Sequence, residues 1–340
     1  MEFRLDEDQE MIVQTVRRFV DRDLRGWAAG ADRAGAAPDR LHTAGGDLGF
    51  FLDAVPAVHG GTLEGSYSHL MRALRGFELG RGCAALAALL ETNVEPALAV
   101  AAWGSPAAQQ AVFGSLAAGG LATFVHDSRG QLAITESGES GESGEPGGEL
   151  RISGKLGPAP ALAVASHVVI AAPDAVVLIA TDGLARQPIT PSGWRAARWA
   201  TATLEAHRVP AEFVLARGEP ARAATAELLS WARASLAARA AGVAVGAMEH
   251  AEAYARDRVQ FNQPIGAFEA LIRLRDDALT GAAAARLMAL YAAWAIDARA
   301  PDAGDAASRA RVHAGDVVAR ATVDAVQIFG GYGFVNDYPV

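Results

Sequence analysis

The side chains that most often perform nucleophilic, metal or acid–base chemistry are sparse and scattered along these 340 residues. There is a single cysteine, Cys83, which rules out an internal disulfide framework and any multi-cysteine metal site. Its setting, FELGRGCAALAALL, reads as a helix interior and therefore as a structural thiol. The eight histidines (His42, His59, His69, His126, His167, His207, His250 and His313) never fall at a metal-ligand spacing such as i, i+4 on one helix. They read as isolated core or surface residues. Among the acidic residues, Glu249 and Glu252 read as solvated charges on a helix face. No metal site is expected, and no residue stands out as a catalytic base.

The surrounding composition is that of a globular protein, 51% hydrophobic and 20% charged, with enough chain for two or three packed domains. A formal net charge of −9 opposes long-range attraction to phosphate backbones, so nucleic acid is not an expected partner. No run of eighteen apolar residues lacks a charge, and the opening MEFRLDEDQE is acidic where a signal peptide would be basic. A cytoplasmic protein without a membrane partner is expected.

Apolar residues recur at three and four from Leu5 to Trp27, the stripe of an amphipathic helix, with Asp6 and Gln9 spaced to cap it. Helical patterns resume around Leu48, run from His69 to Ala102 and return at Ala107 to Ala117. From Leu121 the texture changes to short β-rich runs (LATFV, ELRISG, SHVVIAA, AVVLIA, LEAHRV) separated by turn residues. The Gly-Glu-Ser repeat in ITESGESGESGEPGGE cannot bury anything and reads as a mobile, solvated hairpin loop. Alanine-rich helical segments then occupy Ala221 to Arg258, Phe268 to Ala298 and Ala306 to Phe329. The expected fold is α+β: an N-terminal helical domain (1–120), a small β-barrel or sandwich (121–217) and a C-terminal four-helix bundle (218–340).

Two segments carry a family resemblance. YARDRVQFNQPIGAFEALIRLRDDA, Tyr254 to Ala278, resembles the acyl-CoA dehydrogenase signature in which a helix ends at Tyr-x-x-x-Arg-x-x-Phe-Gly-x-Pro-Ile and the next begins at Phe-Gln. DAVQIFGGYGFVNDYP, Asp324 to Pro339, is similar to the same family's Gln-x-x-Gly-Gly-x-Gly-Tyr/Phe stretch followed by Tyr-Pro. Weaker echoes lie in FRLDEDQEMI, DLGFFLDAVPAVHGG, ELGRGCAALA and HRVPAEFVL, so the likeness spans essentially the whole chain.

The resemblance implies FAD, bound between the β domain and C-terminal bundle of one subunit, with its ADP half held in trans by a neighbour. The family's trans elements map onto Arg258, Phe261 and Ile265 in the first segment and onto Gln327, Gly330 and Gly331 in the second. The residue types suit the task. A guanidinium makes charge-assisted bonds to a pyrophosphate, Phe261 and Ile265 offer apolar flanks, and Gln327 is both donor and acceptor. Adjacent glycines admit a ligand close to the backbone.

The cis half of the family site is not matched. The Thr-Glu-Pro-x-x-Gly-Ser-Asp loop that grips the flavin ring is replaced by ATFVHDSRG, Ala122 to Gly130, and the nearby Thr135-Glu136 opens the Gly-Glu-Ser repeat instead. In GKLGPAPA the family's Gly154 and Lys155 persist, but the ring-covering aromatic is replaced around Gly157-Pro158. The glutamate base sits in the family either shortly after Tyr-Pro, past the last residue Val340, or on the preceding helix. There the matching position falls near Ala232-Arg233, and Glu227 lies too far along. Glu269 stands where the family has Gln after Phe268.

Cis elements are thus changed at three places while trans elements persist at two. The expected function is a non-catalytic subunit, shortened relative to the family, of a heterotetrameric FAD-dependent acyl-CoA dehydrogenase. It resembles the actinobacterial enzymes for steroid side-chain CoA thioesters. The partner, a catalytically competent subunit, would bind most of the acyl-CoA. Two alternatives stay open: a homo-oligomeric flavoprotein with a non-standard base or a C-terminus extending past Val340, and a flavin-free scaffold.

Overall fold

The computed structural model describes residues 4–137, 148–335 and 337–339. The Gly-Glu-Ser repeat, read above as a mobile loop, lies outside the described residues. Helices occupy the first 117 residues: α1 (Glu7–Phe19), α2 (Arg25–Ala34), α3 (Asp39–Asp47), α4 (His69–Gly82), α5 (Ala84–Leu90), α6 (Val94–Trp103) and α7 (Pro106–Ala117). The expected cap on α1 forms: Asp6 accepts from the Gln9 N–H at 2.8 Å, and the Gln9 side chain accepts from the Asp6 N–H at 3.3 Å. The first helical stretch outruns its predicted end at Trp27, passing through a π-helical turn at Val20–Leu24 and continuing to Ala34. Leu48 ends α3 rather than opening a helix. Cys83 is not inside a helix either; it is an extended, half-buried residue between α4 and α5.

The middle of the chain forms two four-stranded sheets. One has the order β1 (Ala122–His126), β4 (His167–Ala172), β5 (Ala175–Ala180), β8 (Val214–Arg217), with β1 and β4 parallel. The other is antiparallel: β2 (Leu132–Ser137), β3 (Glu149–Ala159), β7 (Ala200–Val209), β6 (Ala185–Pro188). Their inner faces share one apolar cluster that includes Val125, Ile152, Leu156, Ile170, Val177 and Leu204, as in a sandwich. The sequence pattern missed β2, because its ITES run merges into the Gly-Glu-Ser repeat, and also the short edge strand β6.

The C-terminal segment supplies α8 (Gly218–Asp257), α9 (Glu269–Asp297) and α10 (Ala303–Phe329), with a two-stranded ribbon, β9 (Val259–Gln260) and β10 (Gln263–Pro264), between α8 and α9. The sequence segments are not the units of packing. One compact unit comprises residues 1–30, 68–87 and 230–340; the other comprises 31–67 and 88–229. In the first unit α4, from the N-terminal segment, packs with α8, α9 and α10, the three long helices that the C-terminal segment provides among the described residues.

The core of that unit is mostly alanine, at positions such as Ala237, Ala241, Ala244, Ala282, Ala289, Ala310 and Ala321. Small side chains bring backbones together, and the closest approach is between α4 and α8. A Cβ on Gly242 would lie 1.9 Å from the Phe77 carbonyl oxygen, one on Gly246 2.3 Å from that of Arg81, and one on Gly80 2.2 Å from that of Arg239. Ionic contacts reinforce the same seam. Glu78, whose side chain is 0% exposed, accepts from Arg17 at 2.7 Å and from Arg81 at 3.0 Å. Arg81 also reaches Asp21 at 2.8 Å and Glu249 at 3.0 Å, and Arg25 pairs with Glu249 as well. The hydrogen bond from Arg17 to Glu78 raises the Arg17 pKa. Glu249 is therefore an ion-network member, not the solvated charge expected. At the far end of α4, the Asp297 carboxylate accepts from the His69 and Leu70 N–H groups at 2.8 and 2.9 Å, a tertiary cap.

Two stretches, Ala84–Trp103 and Glu269–Asp297, are apolar and long enough by composition to cross a bilayer, but 83% of the former is buried within the protein. They do not establish a membrane span.

Gly242→Ala should strain the α4–α8 seam and cost ~1–3 kcal/mol or more, read as a lowered Tm; an unchanged Tm would show that the two backbones are not in contact. His69, stacked on Trp231 with ring centroids 5.4 Å apart, has its pKa lowered by burial, aided by Arg72, from 6.5 to about 3. The unfolded chain then binds the proton first, so stability should fall as pH drops below 6.5, by at most ~1.4 kcal/mol per pH unit. In urea titrations the wild type should lose more stability than His69→Phe between pH 7 and pH 5; equal losses would show that His69 is not the group responsible.

Candidate functional site

The end of α8 is built to hold Arg258 by its backbone. The Arg258 N–H donates to the Tyr254 carbonyl at 2.9 Å, closing the last helical turn, and the Arg258 carbonyl accepts from the Ile265 N–H at 2.8 Å. Between these bonds the chain makes the β9–β10 ribbon, in the register Gln263↔Gln260 and Pro264↔Val259. Its two turn residues, Phe261 and Asn262, both have positive φ, 50° and 61°, as a two-residue hairpin of the primed type requires. Asn tolerates that conformation well; Phe does not favour it. Phe261 is carried out to 88% exposure, in edge contact with Phe268.

The second segment turns sharply at the end of α10. Gly330 adopts φ 58°, ψ −132°, a region that residues with a Cβ avoid. The turn is clamped to the helices by aromatic rings: Tyr254 stacks on Phe329 at 4.4 Å, and Tyr338 lies 5.4 Å from both Phe329 and Tyr332. A Cβ on Gly331 would meet nothing within 4 Å, so its backbone faces open space.

Together these elements form an open concave pocket of about 420 Å³ lined by residues that include Tyr254, Arg258, Ile265, Gly330, Gly331 and Tyr332. Four of the six residues named from the sequence meet there. Gln327 lines an adjoining groove with Val323, Gly330 and Phe334. Phe261 lines neither; it projects from the ribbon. The sequence reading passed over Tyr332 and Phe329, whose only signal was an aromatic residue on each side of the Gly-Gly pair.

Among the described residues no carboxylate lies within 4.0 Å of the Arg258 guanidinium, so its charge is left for an external anion; its carbon sits 5.7 Å from the Tyr332 ring centroid. One unneutralised guanidinium, an uncovered glycine backbone and an apolar floor fit the nucleotide half of FAD. They offer no acid, base or nucleophile.

The β unit presents a different picture where a ring-gripping loop would stand. After β1 the chain turns at once, and both oxygens of Asp127 accept from its own backbone, the Gln131 N–H and the Leu132 N–H, each at 2.9 Å. A carboxylate so committed fixes the turn and has little left for a ligand. Gly157 and Pro158 lie within β3 and supply no planar ring. On α8, Arg233 beside Ala232 donates to the Ser308 hydroxyl at 3.1 Å. Glu252 lies 3.6 Å from Arg275, and Glu227 is exposed.

Similarity to known proteins spans both helical segments. Residues 6–120 match the N-terminal domain model of acyl-CoA dehydrogenases and residues 221–340 the C-terminal domain model. The whole chain aligns with 92% of the probable acyl-CoA dehydrogenase YngJ of Bacillus subtilis (strain 168) at 29% identity. Among solved structures, butyryl-CoA dehydrogenase from Megasphaera elsdenii superposes with a TM-score of 0.86 at 23% identity, covering 100% of this chain and 92% of that one. PigA with FAD and proline superposes with a TM-score of 0.85 at 21% identity, covering 99% and 91%. With two domain models of one family matched, a full-length relative and the same fold throughout, the chain belongs to the acyl-CoA dehydrogenase family, whose cofactor is FAD.

Proposed function

We propose that this chain is the non-catalytic subunit of a heteromeric FAD-dependent acyl-CoA dehydrogenase, assembled as two copies of each chain. It lends contacts to the ADP half of a flavin seated mainly on its partner. The observation that carries this reading is an asymmetry: the nucleotide-end residues converge in one open pocket, whereas the positions that would grip the flavin ring are spent on the protein's own backbone. Arg258 would neutralise the pyrophosphate, Ile265 would flank the nucleotide, and Gly330 and Gly331 would let it approach the main chain. Gln327, in the adjoining groove, would offer the nucleotide end a donor and an acceptor, and the exposed Phe261 would flank the cofactor. When bound, FAD accepts the β-hydride as an acyl-CoA is desaturated between its α and β carbons. The α-proton is then the partner's to remove, because Ala232-Arg233 supplies no carboxylate within reach of it. The acyl group, of the bulky steroid side-chain type in the enzymes this chain resembles, would lie in the partner as well.

Co-expression with dehydrogenase-like chains encoded nearby should yield a yellow complex with one FAD per unlike pair, while this chain alone purifies colourless. A yellow, thioester-oxidising preparation of the single chain would overturn the proposal in favour of a homo-oligomeric enzyme. In the complex, Arg258→Ala should lower FAD occupancy with assembly intact; unchanged flavin content and rate would point to a scaffold.

The two glycines should separate fold from ligand. Gly330→Ala should cost ~1 kcal/mol or more of stability, since its φ disfavours a side chain. Gly331→Ala should leave Tm unchanged and still weaken FAD retention, because its Cβ would enter only the ligand's space. Wild-type FAD affinity in Gly331→Ala would mean that no ligand approaches the main chain there.

A further inference from the structure

Tyr332 is not among the residues assigned to the flavin, yet its ring lies within reach of the Arg258 guanidinium. The Arg258 main chain is bonded on both sides, to Tyr254 and Ile265, but these bonds leave all its side-chain torsions free. An exposed guanidinium with no carboxylate within 4.0 Å among the described residues samples many rotamers and surrenders that freedom when it binds an anion. Here its carbon lies 5.7 Å from the Tyr332 ring centroid, within the reach of a cation–π contact. The ring is itself anchored, 6.2 Å from Tyr254 and 5.4 Å from Tyr338, and Tyr332 lines the pocket while 45% exposed.

We infer that Tyr332 is a positioning residue, holding the Arg258 guanidinium at the pocket before any phosphate arrives, through its ring rather than its hydroxyl. An aromatic face suits this better than a carboxylate. It restrains the cation without neutralising it, so the full charge remains for the pyrophosphate. Gly330 makes the placement possible, because its backbone conformation turns the chain end of α10 back toward the end of α8.

The inference rests on the reading of Arg258 as a pyrophosphate ligand, and a double-mutant cycle separates the two. The flavin-containing complex is stripped and retitrated with FAD by fluorescence, and Tm is recorded for each variant. Tyr332→Phe should bind as wild type. Tyr332→Leu should bind ~2- to 5-fold more weakly, the scale of an exposed cation–π contact, and should have no further effect in an Arg258→Ala background. Tyr332→Met, which fills the same space without a ring, should repeat the Leu result and replaces it if the Leu variant does not assemble. An equal loss from Tyr332→Leu with and without Arg258 would overturn the inference, as would a loss in Tyr332→Phe matching that in Leu. No change in Arg258→Ala itself would instead refute the underlying reading of the site.

Discussion

The contact on which the site depends is that of two helix backbones, α4 and α8, meeting at Gly80, Gly242 and Gly246 with no side chain between them. The contact is short-ranged and unforgiving, since each glycine faces a carbonyl oxygen and cannot yield. It fixes the rotation of α8, and the surrounding alanines carry that order on to α9 and α10. Arg81 bonds across the same seam to Glu249, and Glu78 holds Arg81 from within α4. A buried carboxylate with two arginine partners penalises other arrangements more than it adds stability. The ends of α8 and α10 are placed by this frame.

What emerges at those ends is the open pocket proposed to hold the nucleotide half of FAD. The Arg258 backbone is locked by one bond to the preceding turn and one to the far side of the ribbon, and Gly330 folds the next segment over it. The result is charge, main chain and an apolar floor that includes the Tyr254 and Tyr332 rings. Such a surface suits the nucleotide end of the proposed ligand. In the β unit the counterpart loop has become a short turn tied by Asp127, which stabilises the sheet connection and withdraws the carboxylate from any ligand. The two halves of the chain thus differ in what they leave unsatisfied, and an unsatisfied charge in an open pocket calls for something from outside.

Family membership and this division of labour are different kinds of conclusion. Membership follows from matches over both helical domains and from a shared fold. The division is a proposal that rests on individual side chains: a guanidinium with no carboxylate within 4.0 Å among the described residues, a carboxylate with both oxygens bonded to backbone N–H groups, and an alanine and arginine where a base would stand.

Local chemistry made much of this legible from sequence. Alanine-rich periodicity announced three long helices to within a few residues, because propensity and spacing act along the chain. Asp6 and Gln9 announced the first helix start in the same way. The Arg258 and Gly330-Gly331 segments were legible because their residue types and order persist together. Tertiary structure alone decided the rest. Glu249 looks like any helix-surface glutamate until Arg25 and Arg81, both remote in sequence, are brought to it. Gly242 is an unremarkable helix former's interruption until the Phe77 carbonyl lies against it. The placing of Arg258 beside Tyr332, and of Gln327 and Phe261 outside the pocket that the other four residues line, depends on how α8 and α10 end in space. That is set by packing across residues far apart in the chain, and no local pattern encodes it.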